Sequence, residues 1–160
     1  MIGSNPLFLR EEELAQAHEL IAAADRALAA AADPVLDRHG LGRAHQRFVR
    51  VVGKRPGVTV AEALETLKVT KQSASRVIRE LTDGGYLTQG RGRHDRRQRT
   101  LTLTDAGRAL ERELSERQHA VIASAYREAG AEAVAGFRRV MLGMLTESDR
   151  ARIGRRHQRG

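Results

Sequence analysis

The residues with the most chemistry to offer lie between Thr70 and Thr100. Thr70, Lys71, Gln72, Ser73, Ser75, Arg76 and Arg79 bring hydroxyl, ammonium, amide and guanidinium groups to one short stretch. These groups read base edges: arginine pairs with guanine, glutamine with adenine, and serine with several acceptors. Further on, the run from Gly90 to Arg99 sets five arginines, Arg91, Arg93, Arg96, Arg97 and Arg99, against the single carboxylate of Asp95. Like charges this dense repel one another unless a polyanion lies beside them, so the run is expected to meet phosphate or a minor groove. Asp95 is expected to pair with the Arg97 guanidinium in bidentate fashion and so to stiffen the tip. Gly90 and Gly92 are expected to supply left-handed backbone for the turn.

These groups need rigid elements to present them. Thr59-Val60-Ala61-Glu62 has the pattern of a capping box, with Thr59 as N-cap and Glu62 reaching back. The short helix it opens turns Ala63, Leu64 and Leu67 inward, and Lys68-Val69 makes a brief turn. Thr70 caps a second helix to about Asp83, where Gly84-Gly85 stops it. Along that helix Ala74, Val77, Ile78 and Leu81 share the inner face, which sends Gln72, Ser75, Arg76 and Arg79 outward with Lys71 and Ser73 near the N-terminal end. Two capped helices this close fit a helix-turn-helix. Residues 86–89 and 100–103 then read as paired strands flanking the arginine-rich tip, the second strand alternating polar and apolar. An ordinary solvated helix surface would show similar polar residues; the basic hairpin behind it makes that the weaker reading.

The flanks are helical. Residues 11–32 open on Glu11-Glu12-Glu13, suited to the positive end of a helix dipole, and carry Leu14, Ala17, Ile21, Ala24, Leu28 and Ala31 in a heptad-like stripe. That stripe invites a close helical neighbour, from the same subunit or from a second one. Asp33-Pro34 is expected to interrupt the helix, because a residue before proline disfavours helical dihedrals. A helix around 42–52 follows, with Ala44, Phe48, Val51 and Val52 on one face. Thr104 is expected to cap a helix over 105–128 that carries Leu110, Leu114, Val121, Ile122 and Ala125. Gly130 should break it before a last helix over 131–145 bearing Val134, Phe137, Val140, Met141 and Met144, and the basic tail after Ser148 should fray. The fold class is therefore mainly α with a small β-hairpin; the family resemblance set out below implies a winged helix-turn-helix lobe plus a helical dimerisation region. The expected division is an N-terminal dimerisation helix over 1–34, the DNA-binding lobe over 35–104, C-terminal dimerisation helices over 105–148 and a basic tail over 149–160.

Composition narrows the function. A net charge of +8 suits a polyanionic partner, and the concentration of that charge in one hairpin favours nucleic acid over a membrane surface. Aromatic residues make up only 3% of the 160, so the core must be built from Ala, Leu, Val and Ile. The absence of cysteine excludes disulfides and thiolate metal sites. His18, His39, His45, His94, His119 and His157 show no metal-ligand spacing, so no metal and no cofactor is expected. No apolar run is long enough to span a bilayer, and the N-terminus lacks the pattern of a secretory signal, so a cytoplasmic protein with no membrane partner is expected. Gly90-Arg91-Gly92 lacks the lysine and helix context of a phosphate loop, and Ser73 and Ser75 have no nearby base, so no enzymatic activity is expected.

The run GVTVAEALETLKVTKQSASRVIRELTDGGYLTQGRGRHDRRQRTLTLTDAGRAL resembles the winged-helix core of MarR-family transcriptional regulators. The capped helix after GVT, the recognition helix TKQSASRVIREL, the GGYL phrase, the Asp95-Arg96-Arg97 wing signature and LTLTDAGRAL carry the likeness together. The phrases FLREEEL, GRAHQRF and YREAGAEAVAGFRRVMLGML are similar to the PetP-like branch, although this chain has AAADRALAA where that branch carries aromatics in its first helix. The resemblance implies a homodimer whose first and last two helices interlock and whose lobes address successive major grooves of an inverted-repeat operator in double-stranded DNA. It also implies a repressor released by a small anionic or aromatic effector. Arg43, His45 and Arg47, expected near the junction of lobe and dimer region, are candidates to bind an effector carboxylate; a plain surface histidine or a structural hydrogen bond is the alternative for His45. A coat of nucleic acid without sequence preference, or an oligomerisation module, would also use a basic ribbon.

Overall fold

Two threonines start the paired helices at the centre of the chain. In the computed structural model, which describes residues 7–92 and 95–157, Thr59 is the N-cap of one helix and Thr70 the N-cap of the next. After a 3-10 turn at Leu7–Leu9 the chain forms α1 (Glu11–Arg38), α2 (Arg43–Lys54), β1 (Val58–Thr59), α3 (Val60–Leu67), α4 (Lys71–Asp83), β2 (Leu87–Arg91), β3 (Arg99–Leu103), α5 (Asp105–Gly143) and α6 (Glu147–His157). Packing divides it after His119 into two units. The core of the first unit gathers Val35 and Leu36 of α1, Val49 and Val52 of α2, Leu81 of α4, Leu87 of β2 and Leu101 of β3, each at most 2% exposed. Ala74, Val77, Ile78 and Leu81 all face that core, as the helical period requires, so α4 turns its polar face outward.

The capping box at α3 forms in full. The Glu62 carboxylate accepts from the Thr59 backbone N–H and from its hydroxyl, both at 2.8 Å, and Thr59 Oγ1 accepts from the Glu62 N–H at 3.2 Å. The backbone bond, then the hydroxyl bond, hold the Glu62 carboxyl below its ordinary range, with Arg55 adding attraction. A depressed carboxyl stabilises the fold above its unfolded pKa, and the contribution is lost as pH falls through the folded value. The stability gap between wild type and Glu62→Gln should therefore be present at about pH 7 and shrink by about pH 3, read by urea unfolding. A gap of equal size at both would remove the capping role of the charge.

The sheet has three antiparallel strands in the order β1-β3-β2, one more than the sequence suggests. Val58 pairs with Leu101 and Thr59 with Thr100, while on the other side of β3 Leu87 pairs with Leu103 and Arg91 with Arg99. A two-residue strand has no periodicity to read. Thr59 thus belongs to the sheet and caps α3 at once.

Three expectations need correction. Asp33-Pro34 does not end α1, which continues to Arg38 with Pro34 inside it. Pro34 and Ala30 are exposed, so the carbonyl deprived of its donor lies on the solvent side, and buried Ala32, Val35 and Leu36 hold the turns around it in the core. The buried face of α2 is rotated by about one residue: Gln46, Phe48, Val49 and Val52 are buried, whereas Ala44 is exposed and Val51 half-buried. As far as His157, the last described residue, the basic tail does not fray after Ser148 but forms α6, opened by Thr146 Oγ1, which accepts from the Asp149 N–H at 3.3 Å. The expected break at Gly130 is present as a non-helical residue, φ 80 and ψ 169, within α5.

Candidate nucleic-acid interface

Lys71, Ser75 and Arg79 stand one helical turn apart on α4 and line one wall of a groove of about 900 Å³. The opposite wall is the β-ribbon, with Gln89, Arg97, Gln98 and Arg99, and the floor includes Val60, Leu64 and Ile78. A second depression of about 640 Å³ lies on the ribbon itself, between Gln89, Gly90, Arg91, Arg96, Arg97 and Arg99. Among the described residues, none of these four arginines forms an ion pair, so their charge is available to an external anion. Arg93 and His94 lie outside the described residues.

The helix residues divide into those free to reach outward and those used locally. Lys71, Gln72, Ser73, Ser75, Arg76 and Arg79 are all exposed. Thr70 Oγ1 accepts from the Ser73 N–H at 3.3 Å and shares a 2.9 Å hydrogen bond with Ser73 Oγ, so this pair sets the start of the helix. Ser75 Oγ donates to the Lys71 carbonyl at 2.7 Å and is left as an acceptor. Arg76 donates through Nε to Glu80 Oε1 at 2.8 Å. That bond lowers the Glu80 carboxyl from its ordinary range, with help from His45, and raises Arg76.

At the ribbon tip Asp95 Oδ1 accepts from the backbone N–H of Arg97 at 2.8 Å. The carboxylate therefore fixes the main chain two residues on, rather than the Arg97 guanidinium as the sequence suggests; a short side chain reaches its own turn more readily than a distant fork. Gly92 N–H donates to the Gln98 carbonyl at 2.9 Å, closing the described part of the hairpin. Neither Gly90 nor Gly92 adopts positive φ. They are needed for space instead: a Cβ at Gly92 would sit 2.6 Å from the Asp95 carbonyl, and one at Gly90 2.9 Å from Thr100 Oγ1.

Arg43, His45 and Arg47 are each held by the protein. Arg43 grips Asp33 with Nε and Nη2 at 3.2 and 2.9 Å, which lowers the Asp33 carboxyl and raises the guanidinium. Continuation of α1 through Asp33 is what brings that carboxylate within reach. Arg47 Nη2 donates to the Leu67 carbonyl at 2.8 Å, at the end of α3. His45 bridges the Gly42 N–H and Glu80. The sequence reading did not include Gln89, Gln98 or Glu80. Glu80 was within reach, since it lies four residues after Arg76 on one helix; its bond to His45 spans 35 residues and leaves no local signal.

No group of side chains suited to a metal occurs among the described residues, and no helix there is long and apolar enough to cross a membrane. A family model described as the MarR family matches residues 39–98. The HTH-type transcriptional regulator PetP of Rhodobacter capsulatus is 46% identical over 143 residues, covering 89% of this chain and 86% of that protein. Among solved structures, Streptococcus pneumoniae FabT in complex with DNA superposes with a TM-score of 0.67 at 21% identity, over 82% of this chain and 94% of that one. CouR of Rhodococcus jostii RHA1 bound to p-coumaroyl-CoA gives 0.61 at 20% identity, over 77% and 86%.

Proposed function

The chain belongs to the MarR family of DNA-binding transcriptional regulators, and from there we propose that it acts as a homodimer on an inverted-repeat operator, repressing transcription until a small anionic or aromatic effector releases it. The observation that carries the reading is the meeting of two surfaces at one groove: a helix face with Lys71, Gln72, Ser75, Arg76 and Arg79, and a ribbon whose Arg91, Arg96, Arg97 and Arg99 form no ion pair among the described residues. A helix of this kind suits the major groove, and the ribbon suits the adjacent backbone or minor groove. FabT, of similar fold, is seen with DNA.

Dimerisation draws on apolar side chains that the single chain leaves open. Leu14, Leu20 and Ile21 of α1 are 53%, 63% and 37% exposed; in the second unit Phe137, Val140 and Met144 are 52%, 63% and 61% exposed. Uncovered apolar side chains at helical spacing favour a second copy. The ligand named for CouR supports an effector; at Arg43, His45 and Arg47 it would have to exchange with the protein partners they hold.

Selection from random duplexes followed by footprinting tests the reading. The enriched sequence should be an inverted repeat with half-sites about one helical turn apart. Equal affinity for every duplex would replace it with a non-sequence-specific architectural role.

A further inference from the structure

Glu80 is out of place on a DNA-facing helix. A carboxylate there repels phosphate, and its neighbours Lys71, Arg76 and Arg79 would bind a polyanion better without it. Its bonds explain its presence. Oε1 accepts from Arg76 Nε at 2.8 Å, and Oε2 meets His45 Nε2 at 2.7 Å. On its other side the His45 ring takes the Gly42 N–H at Nδ1, 2.9 Å away. An N–H pointed at Nδ1 requires that atom to be the acceptor, so the proton sits on Nε2 and His45 donates to Glu80. The result is one connected chain: Gly42 at the start of α2 donates to His45, His45 donates to Glu80, and the Glu80 carboxylate also accepts from Arg76.

We propose that Glu80 and His45 are positioning residues for base recognition by Arg76. The carboxylate engages the guanidinium through Nε, which leaves the two terminal nitrogens of Arg76 as the fork that matches the O6 and N7 of guanine. Arg76 is 77% exposed at its side chain, and a free side chain of that length would lose rotamer entropy on every encounter with DNA. His45, only 14% exposed, fixes the second carboxylate oxygen and so the plane in which Arg76 is held. Its bond to the α2 N-terminus ties the aim of Arg76 to the scaffold rather than to α4 alone. The proposal rests on the base-reading role of α4 set out above.

The test compares full-length wild type, Glu80→Gln, Arg76→Ala and the double variant. Each is titrated with the duplex that wild type enriches from a random pool and with a scrambled duplex of equal length. Glu80→Gln removes a negative charge, so affinity for the scrambled duplex should hold or rise. Its amide has an acceptor at one terminal atom only, so it cannot keep the two-oxygen bridge between Arg76 and His45, and the preference for the enriched duplex should fall about tenfold. In the Arg76→Ala background the same substitution should leave the preference unchanged, because the group it positions is gone. An unchanged preference in Glu80→Gln overturns the proposal, as does an equal loss with and without Arg76. His45→Gln offers a second route: a fall in preference that vanishes in the Arg76→Ala background supports the relay, and an unchanged preference removes His45 from it. A wild type that enriches no sequence overturns the reading of α4 itself, an outcome distinct from a selective wild type indifferent to Glu80.

Discussion

Aspartate at Val140 and Met144 together should produce a folded monomer that holds an inverted-repeat duplex at least about a hundredfold less tightly than wild type. Both side chains are more than half exposed in the single chain, so carboxylates there cost its own packing little. In a two-fold interface each substitution occurs twice, and four carboxylates would be buried against apolar neighbours without partners. Loss of the dimer removes the second lobe, which otherwise binds at the high effective concentration set by the first. Sedimentation would show the mass fall by half while circular dichroism keeps its helical signal. Operator titration would show the affinity loss, with a far smaller change on an isolated half-site. A variant that stays dimeric at micromolar concentration would remove this face from the interface.

Alanine at Gly107 should be the most damaging small substitution in the first unit. A Cβ there would lie 2.1 Å from the Tyr86 carbonyl oxygen, and backbone on both sides leaves nothing to rotate away. That oxygen also accepts the Thr104 N–H at 3.1 Å, and the Gly107 N–H is itself bound to the capping Thr104 Oγ1 at 3.0 Å, so α5 starts pressed against the root of β2. Forcing the two apart should cost about 3 kcal/mol and lower Tm by about 10 °C for a chain of this size. Gly53→Ala is the control. Its Cβ would meet Leu103 Cδ1 at 3.1 Å and Glu111 Cγ at 3.2 Å, both on side chains able to shift, so thermal unfolding should show a smaller loss. Equal losses at the two positions would show that the carbonyl contact does not set the spacing.

The residues best read from sequence are those whose reasons are local. The Thr59 and Thr70 caps, the inward face of α4 and the break at Gly130 follow from spacing and backbone chemistry within a few residues. Pro34 misled because its local penalty is real but is outweighed by burial of Val35 and Leu36, which only the folded core reveals. Asp95 was recognised as structural, yet its partner is main chain rather than guanidinium, since a one-dimensional reading sees side-chain types before backbone donors. Arg43, His45 and Arg47 looked available because their partners, Asp33, Glu80 and the Leu67 carbonyl, lie 10 to 35 residues away.

Thr59 has a consequence for how proteins of this build can change over time. One residue ends the short strand that joins the ribbon to the lobe and begins α3, the helix before α4, so a single inserted residue there would shift register and cap together. The length of the ribbon's root is therefore pinned from two sides, by the pairing of a sheet and by the first turn of a helix.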